Sequence, residues 1–400
     1  MRVRFFILVL AVVLTLSPRP GVAQEVTFDA WLVDLRTEAA AKGISSATLD
    51  AALTGLQPIP RVIELDRRQP EFTWTFRDYM TKLVNAQRVE KGKRKLAQNS
   101  KLLNEIGAKY GIQPRYLVAF WGLETDFGRL AEGYFPTIAA LATLAHDGRR
   151  STFFRAQLMA ALKILDEGHI SPAKMKGSWA GAMGHFQFIP TTFQAYAQDY
   201  DGDGHKDIWG NQADAYASAA NFLTKSGWKG DEIWGREVVL PSGFDFNLAS
   251  MKVKKNLDQW QALGIRRLGG ADLPKVEIAA SVVAPAGAKG PAFMIYGNFR
   301  TIMVWNRSIF YGIAVGHLAD RLVGLPKLTS LGPKGDKGIT HEQGRELQRR
   351  LTQLGFDTGG VDGVVGPQSR EAIRNFQRKT GQVPDGYPSL ELLESVRKGL

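Results

Sequence analysis

Residues 326–338 read PKLTSLGPKGDKG, a stretch with no apolar period and rich in Gly, Pro and Lys. Such a segment neither buries a helical stripe nor alternates as a strand, so it reads as a linker. It divides the chain into one large unit, residues 24–325, and a small module, residues 339–400. A single core spanning both is therefore not expected. Four hundred residues suffice for two or three domains with a sizeable buried interior. The hydrophobic fraction of 44% is that of a globular chain.

At the other end, Arg2 and Arg4 precede an apolar stretch, residues 5–16, too short to span a bilayer comfortably. A polar, proline-containing segment follows and ends in Gly21, Val22 and Ala23. That is the layout of a cleaved secretory signal over residues 1–23, with the cut between Ala23 and Gln24; a membrane anchor is the alternative reading. The formal charge of +12 favours an acidic polymer as partner, and charge alone does not choose among nucleic acid, an anionic membrane and the cell wall. Losing Arg2, Arg4 and Arg19 with the signal lowers that charge by three to +9. The chain has no cysteine, which excludes disulfides, thiolate metal sites, a cysteine nucleophile and a lipid-modified cysteine after the signal. No later stretch is long and apolar enough for a second span. The expectation is a soluble periplasmic monomer without a stable membrane anchor, for which wall polymer is a good partner and nucleic acid a poor one.

Within the large unit, residues 71–83 and 96–110 carry apolar residues at three- and four-residue spacing, and residues 135–165 continue as helices. The basic run VEKGKRK, residues 89–95, reads either as a polymer-binding patch or as a solvated helix end. From residue 237 to 310 the pattern changes to short β-branched runs broken by Gly and Pro: EVVLP, VEIAASVVAP, AFMIYG and IMVW. These predict strands. The fold class is therefore α+β, mostly helical with a late strand-rich part.

The first chemical motif is GIQPRYLVAFWGLETDFGR, residues 111–129. Pro114 suits the first turn of a helix. Counting back from Glu124, Trp121, Phe120 and Leu117 fall on the same helical face as the carboxylate. An acid projecting from such a face is desolvated, so its pKa rises and it can carry a proton at neutral pH, as a general acid for glycosidic cleavage must. The alternative is a Glu at a helix end that simply reaches water. Ordinary glycosidases pair the acid with a second carboxylate. Asp126, two residues on, points to roughly the opposite side of a helix, so a local pair is not expected. Either a distant carboxylate joins by folding or the reaction needs none, as in a lytic transglycosylase.

A second motif, GSWAGAMGHFQFIPTTF at residues 177–193, packs glycines and small residues before Gln187. Glycines let backbone approach a ligand closely, and Ser178 and Gln187 offer hydrogen bonds to sugar hydroxyl and amide groups. A tight helix–helix crossing has the same composition. Together with DGDGHKDIW, DAYASAANFL and WNRSIFYGIAVGHLADRL, these stretches resemble the membrane-bound lytic transglycosylase B family, glycoside-cleaving enzymes with a lysozyme-like core, over most of residues 25–325. The resemblance implies Glu124 as sole catalytic acid and base. It implies Ser178, Met183, Gln187, Asn306 and Tyr311 as lining the sugar groove. Phe222 and Trp305 stand where some members have tyrosine, which puts those hydroxyl contacts in doubt and leaves stacking on sugar faces.

The implied reaction cuts the β-1,4 bond between N-acetylmuramic acid and N-acetylglucosamine of peptidoglycan glycan strands. The muramoyl 6-hydroxyl acts as nucleophile and closes a 1,6-anhydro ring. No cofactor is required for that chemistry.

DYDGDGHKD, residues 199–207, places Asp at positions 1, 3, 5 and 9 and Gly at 6 of a calcium-loop pattern, while position 12 is Gly210 instead of Glu. Asp199, Asp201, Asp203, His205 and Asp214 are the candidate ligands of a structural calcium ion, with Asp214 standing in for the missing acid as the resemblance implies. An acidic turn capping a helix is the alternative. The six histidines show no paired metal spacing, and no GxSxG elbow or phosphate loop is present. His185 reads as packing or groove wall.

Residues 340–400 hold a weak repeat, LQRRLTQLGFDTGGVDG echoed by FQRKTGQVPDG, and DGVVGPQSREAIRNFQ resembles the three-helix peptidoglycan-binding module. Such a module raises the effective substrate concentration for the unit tethered to it. A hydrolytic muramidase and a non-catalytic wall-binding protein remain the other readings of the whole chain.

Overall fold

The computed structural model describes residues 26–67 and 74–399. The signal expected at residues 1–23 lies outside the described residues, as does the start of the helix expected from residue 71. Several helix starts in the large unit are set by side-chain caps. Thr27, Ser45 and Asn85 each accept the backbone N–H three residues on, and Thr75 with Asp78 forms a reciprocal capping box ahead of Phe76–Leu83. The helix expected at residues 96–110 is two, Ala86–Gln98 and Ser100–Tyr110, meeting at Asn99. The basic run therefore lies inside a helix, and its Gly92 faces inward, where a Cβ would stand 2.5 Å from Leu322 Cδ2.

Pro114–Thr125 is the axis of the main core. Its residues from Tyr116 through Gly122 are all buried, because Ile309–Leu322, Ala86–Gln98, Ser100–Tyr110 and Gln212–Lys225 pack around it. A helix apolar on every side belongs in a core rather than on its surface. Whatever its C-terminal end carries is held by packing on several sides.

The strand-rich part is a five-stranded antiparallel sheet in the order Lys255–Asn256, Ala279–Val283, Ala292–Ile295, Gly235–Val239, Arg266–Arg267. Its faces divide between two cores: Val283, Phe293 and Ile295 join the main one, while Val282, Met294 and Val238 pack with Trp260, Leu257 and Phe246. Burial on both faces explains why these strands read as near-continuous apolar runs instead of alternating. Residues 302–305, expected as a strand, instead finish the helix Gly297–Trp305. Phe299 and Ile302 on that helix are fully buried while Val304 is 59% exposed, so burial follows helical spacing and packing overrides the β-branched composition.

In the small module, His341–Gln353, Pro367–Lys379 and Leu390–Lys398 enclose Leu347, Leu351, Ile373, Phe376 and Leu393. The repeat has a structural meaning. Buried Gln348 accepts the Gly363 N–H at 2.7 Å and donates to Asp362 at 2.9 Å, and buried Gln377 accepts from Gly386 at 2.9 Å and donates to Asp385 at 2.8 Å. Each half thus ties an Asp-Gly turn to its helix through one glutamine. Residues 326–338 run along the large unit: Leu328 and Leu331 pack on the main core, and the Arg77 guanidinium donates to the Gly332 and Pro333 carbonyls. The module meets the turn after Val283, where Asp385 accepts the Ala288 N–H at 2.8 Å and Lys289 pairs with Glu391 at 2.7 Å.

Candidate active site

Glu124 sits in the last turn of Pro114–Thr125, and the chain leaves that helix abruptly. Asp126, Phe127 and Gly128 all take left-handed backbone conformations, with φ of 51°, 57° and 82°. For the two non-glycine residues this costs roughly 1–2 kcal/mol each. Asp126, expected to point away from Glu124, holds the turn: its carboxylate takes Lys91 at 3.0 Å and Arg129 at 2.7 Å, with Arg88 at 3.9 Å. Gly128 has no room for a side chain, since a Cβ would lie 2.6 Å from the His185 ring.

The Glu124 carboxyl is partly buried, and its two protein partners both donate to the same oxygen. The Trp305 indole Nε1–H reaches Oε1 at 3.0 Å, and the Tyr311 hydroxyl donates to that oxygen as well. Burial pushes the Glu124 pKa from 4.5 up to about 7, against the opposing pull of these two donors. No carboxylate of the described residues contributes to that rise. The group is thus a neutral-pH acid set among uncharged partners, as its helical face predicts.

Trp305 and Tyr311, expected to line the groove, are brought to the acid itself. Trp305 is set in an aromatic box, with ring centroids at 4.6 Å from Phe120, 4.8 Å from Phe222, 5.4 Å from Phe188 and 6.2 Å from Phe186. Phe222 is 7% exposed and meets Trp305 edge-on, so it supports the indole and presents no open face to a sugar. Met183 is fully buried, which corrects its expected place on the groove surface. Its backbone exchanges two hydrogen bonds with Phe188, at 2.8 and 2.9 Å, and so closes a tight loop. Gln187 lies in that loop at φ 51°, with its side-chain amide donating to the Gly184 carbonyl at 3.1 Å. Ser178 Oγ accepts two backbone N–H groups, from Ala180 and Ala182, and keeps its own proton to donate. Asn306 is exposed, and its side chain accepts the Ser308 N–H at 3.0 Å.

His185 is packing, with a structural consequence that residue spacing does not reveal. Its Nδ1 accepts the Trp121 indole N–H at 2.8 Å, its carbonyl accepts the Thr125 hydroxyl at 2.8 Å, and its N–H donates to the Ile208 carbonyl at 3.0 Å. This residue pins the glycine-rich loop to the helix end that carries Glu124.

Of the five candidate metal ligands, three converge: Asp199, Asp201 and Asp214 each bring one carboxylate oxygen within 4.8 Å of the others. Asp203 turns instead to the His205 N–H at 2.7 Å, and neither residue joins the cluster. Asp214 is fully buried and its pKa is raised, first by burial and further by the like charges of Asp201 and Asp199.

Residues 27–320 match the family model of the transglycosylase SLT domain, and residues 340–395 match that of a peptidoglycan binding domain. The chain is 32% identical over 254 residues to membrane-bound lytic murein transglycosylase B of Escherichia coli, covering 60% of this chain and 66% of that protein's length. Its fold is similar to SltB3 of Pseudomonas aeruginosa in complex with NAG-anhNAM-pentapeptide, with a TM-score of 0.90, 45% identity, and coverage of 93% of this chain and 99% of that one. It is also similar to E. coli Slt35 in complex with calcium, at a TM-score of 0.64 and 27% identity over 73% of this chain and 92% of that one. The chain belongs to the SLT family of lytic murein transglycosylases and carries a peptidoglycan-binding domain behind its catalytic fold.

Proposed function

We propose that Glu124 acts alone as acid and then base in cleaving the β-1,4 bond between N-acetylmuramic acid and N-acetylglucosamine. Protonated Glu124 donates to the linking oxygen as the bond to the anomeric carbon breaks, and the sugar's own acetamido group shares the positive charge. The muramoyl 6-hydroxyl oxygen then bonds to the anomeric carbon while Glu124 takes its proton back, which closes the 1,6-anhydro ring without consuming water. One observation carries this reading: the carboxyl titrates near 7 with only neutral donors as partners, so it serves both steps without a second acid. Ser178, Gln187 and Asn306 stand on the surrounding loops as contacts for hydroxyl and amide groups of the glycan. Glu124→Gln tests the assignment: released anhydromuropeptides from purified sacculi should vanish. Wild-type products with ordinary reducing ends would mean a hydrolase instead.

The same reading places the enzyme in the periplasm, exported by the segment at residues 1–23 and working as a monomer. The module at residues 339–400 holds it on peptidoglycan, and residues 326–338 join that module to the catalytic unit at residues 24–325. Asp199, Asp201 and Asp214 fit a calcium ion, because they bring three hard carboxylate oxygens, one of them on a fully buried residue, within 4.8 Å of one another. The ion would brace the loop beside His185 and take no part in the reaction.

A further inference from the structure

We propose that Trp305 is a positioning residue which, with Tyr311, reserves Oε1 of Glu124 as a permanent acceptor, so that Oε2 alone delivers the proton and receives it back. The inference rests on Glu124 being the acid and base, and it assigns those two roles to one of its two oxygens.

Two donors converge on Oε1, and a carboxyl oxygen has two lone pairs to offer. A proton placed on Oε1 would make that oxygen a weaker acceptor for the Trp305 N–H, which cannot turn round to accept, even where the Tyr311 hydroxyl did. Among the described residues, no donor is bonded to Oε2. The acid form therefore carries its proton on Oε2, and the carboxylate left after delivery keeps both bonds on Oε1.

The identity of residue 305 decides whether this arrangement is enforced. A hydroxyl at that place could turn round and accept from the carboxyl, letting the proton settle on either oxygen. An indole N–H only donates. Its ring is also clamped: Phe120, Phe222 and Phe188 stand 4.6–5.4 Å away, so the N–H direction is set before substrate arrives. This gives the aromatic box a role that stacking on a sugar does not supply.

The step balances without any added reagent. The Oε2 proton passes to the linking oxygen, which keeps the electron pair of the broken bond. The 6-hydroxyl oxygen then bonds to the anomeric carbon and its proton goes to Oε2, restoring the starting acid.

Trp305→Phe keeps a ring in the box and removes the donor together with the second ring of the indole. Turnover on soluble glycan strands should fall about tenfold with KM little changed, and the alkaline midpoint of its pH profile should rise by about one unit, since the carboxylate loses a charge-assisted bond. Tyr311→Phe should move the midpoint the same way. Trp305→Tyr, which restores a donor, should bring it back toward wild type. The infrared C=O stretch of the protonated acid, isolated by subtracting the Glu124→Gln spectrum, should rise in frequency in Trp305→Phe as Oε1 loses a bond. Folding of each variant is checked by near-ultraviolet circular dichroism. An unmoved midpoint and stretch in folded Trp305→Phe, with Glu124→Gln inactive, would overturn this proposal and leave the assignment of Glu124 standing. An active Glu124→Gln would bring down that assignment and this inference with it.

Discussion

Replacing Glu124 by Gln should make the protein more stable, and only at neutral and alkaline pH. The cause is the cost of keeping that carboxyl where it is. Its folded pKa is about 7 against an ordinary 4.5, which corresponds to about 3 kcal/mol at about 1.4 kcal/mol per unit of pH. Because the side chain is only partly buried, solvent screening trims this to about 2 kcal/mol. A carboxyl with a raised folded pKa favours folding while it stays protonated. Below pH 4.5 both states hold the proton and nothing is lost. Between 4.5 and 7 the unfolded chain gives its proton up while the folded one retains it, so stability falls, and above 7 the loss is complete. Glutamine cannot titrate and still offers a carbonyl oxygen to Trp305 and Tyr311. The variant should match wild type near pH 4.5 and exceed it by about 2 kcal/mol at pH 8. Urea denaturation followed by tryptophan fluorescence reads this cleanly, since all nine tryptophans lie between residues 31 and 305 and report the large unit alone. An advantage of equal size at both pH values would refute the reasoning, because it would come from packing and not from the proton.

Four other perturbations test the rest of the structure. Gly316→Ala should cost about 3 kcal/mol or more, since a Cβ there would stand 2.2 Å from the Trp234 ring, whereas Gly43→Ala, in open space at φ +85°, should cost only about 1 kcal/mol by urea denaturation. Asp126→Ala should lower stability by about 1–2 kcal/mol and reduce turnover, because Lys91 and Arg129 lose the anchor of the turn beside Glu124; denaturation and sacculus digestion read the two effects. Calcium added to chelated protein should release heat on calorimetric titration and stabilise by about 2.7 kcal/mol at a hundred times the dissociation constant, an effect that Asp214→Asn should abolish. Removing residues 339–400 should weaken sacculus pull-down and leave cleavage of soluble glycan strands largely intact.

The helical core and its acid are legible because their signals are local. Pro114 starts the helix, the aromatic residues three and four positions before Glu124 mark its face, and burial of that face raises its pKa as spacing implies. The glycine-rich loop is legible as a place of close approach for the same reason. The partners of Glu124 are a different matter. Trp305 and Tyr311 come from 181 and 187 residues away, and no period within a helix encodes a contact at that separation. The resemblance to known transglycosylases puts both residues in the groove, but as surfaces for sugar, and the structure turns both onto the acid.

The helical form of residues 302–305 and the contact of Trp305 with Glu124 are one fact. As a strand, residues 302–305 would alternate their side chains across a sheet, and Trp305 would have no reason to meet a helix end in the main core. As the last turn of Gly297–Trp305, the same residues anchor Phe299 and Ile302 in the interior and carry Trp305 to the helix terminus. There the chain extends through Asn306 and starts the next helix at Ile309, which delivers Tyr311 two positions in. Two donors separated by six residues thus reach a single carboxyl oxygen because a helix break lies between them. The β-branched composition that hides this helix belongs to its packing, and the break that makes the site belongs to the short polar run Asn306, Arg307 and Ser308. Lengthening that run by one residue should therefore separate Tyr311 from Glu124 while leaving the Trp305 contact in place. The variant's pH profile should follow that of Tyr311→Phe, and a profile identical to wild type would show that the spacing of the two helices does not set the acid.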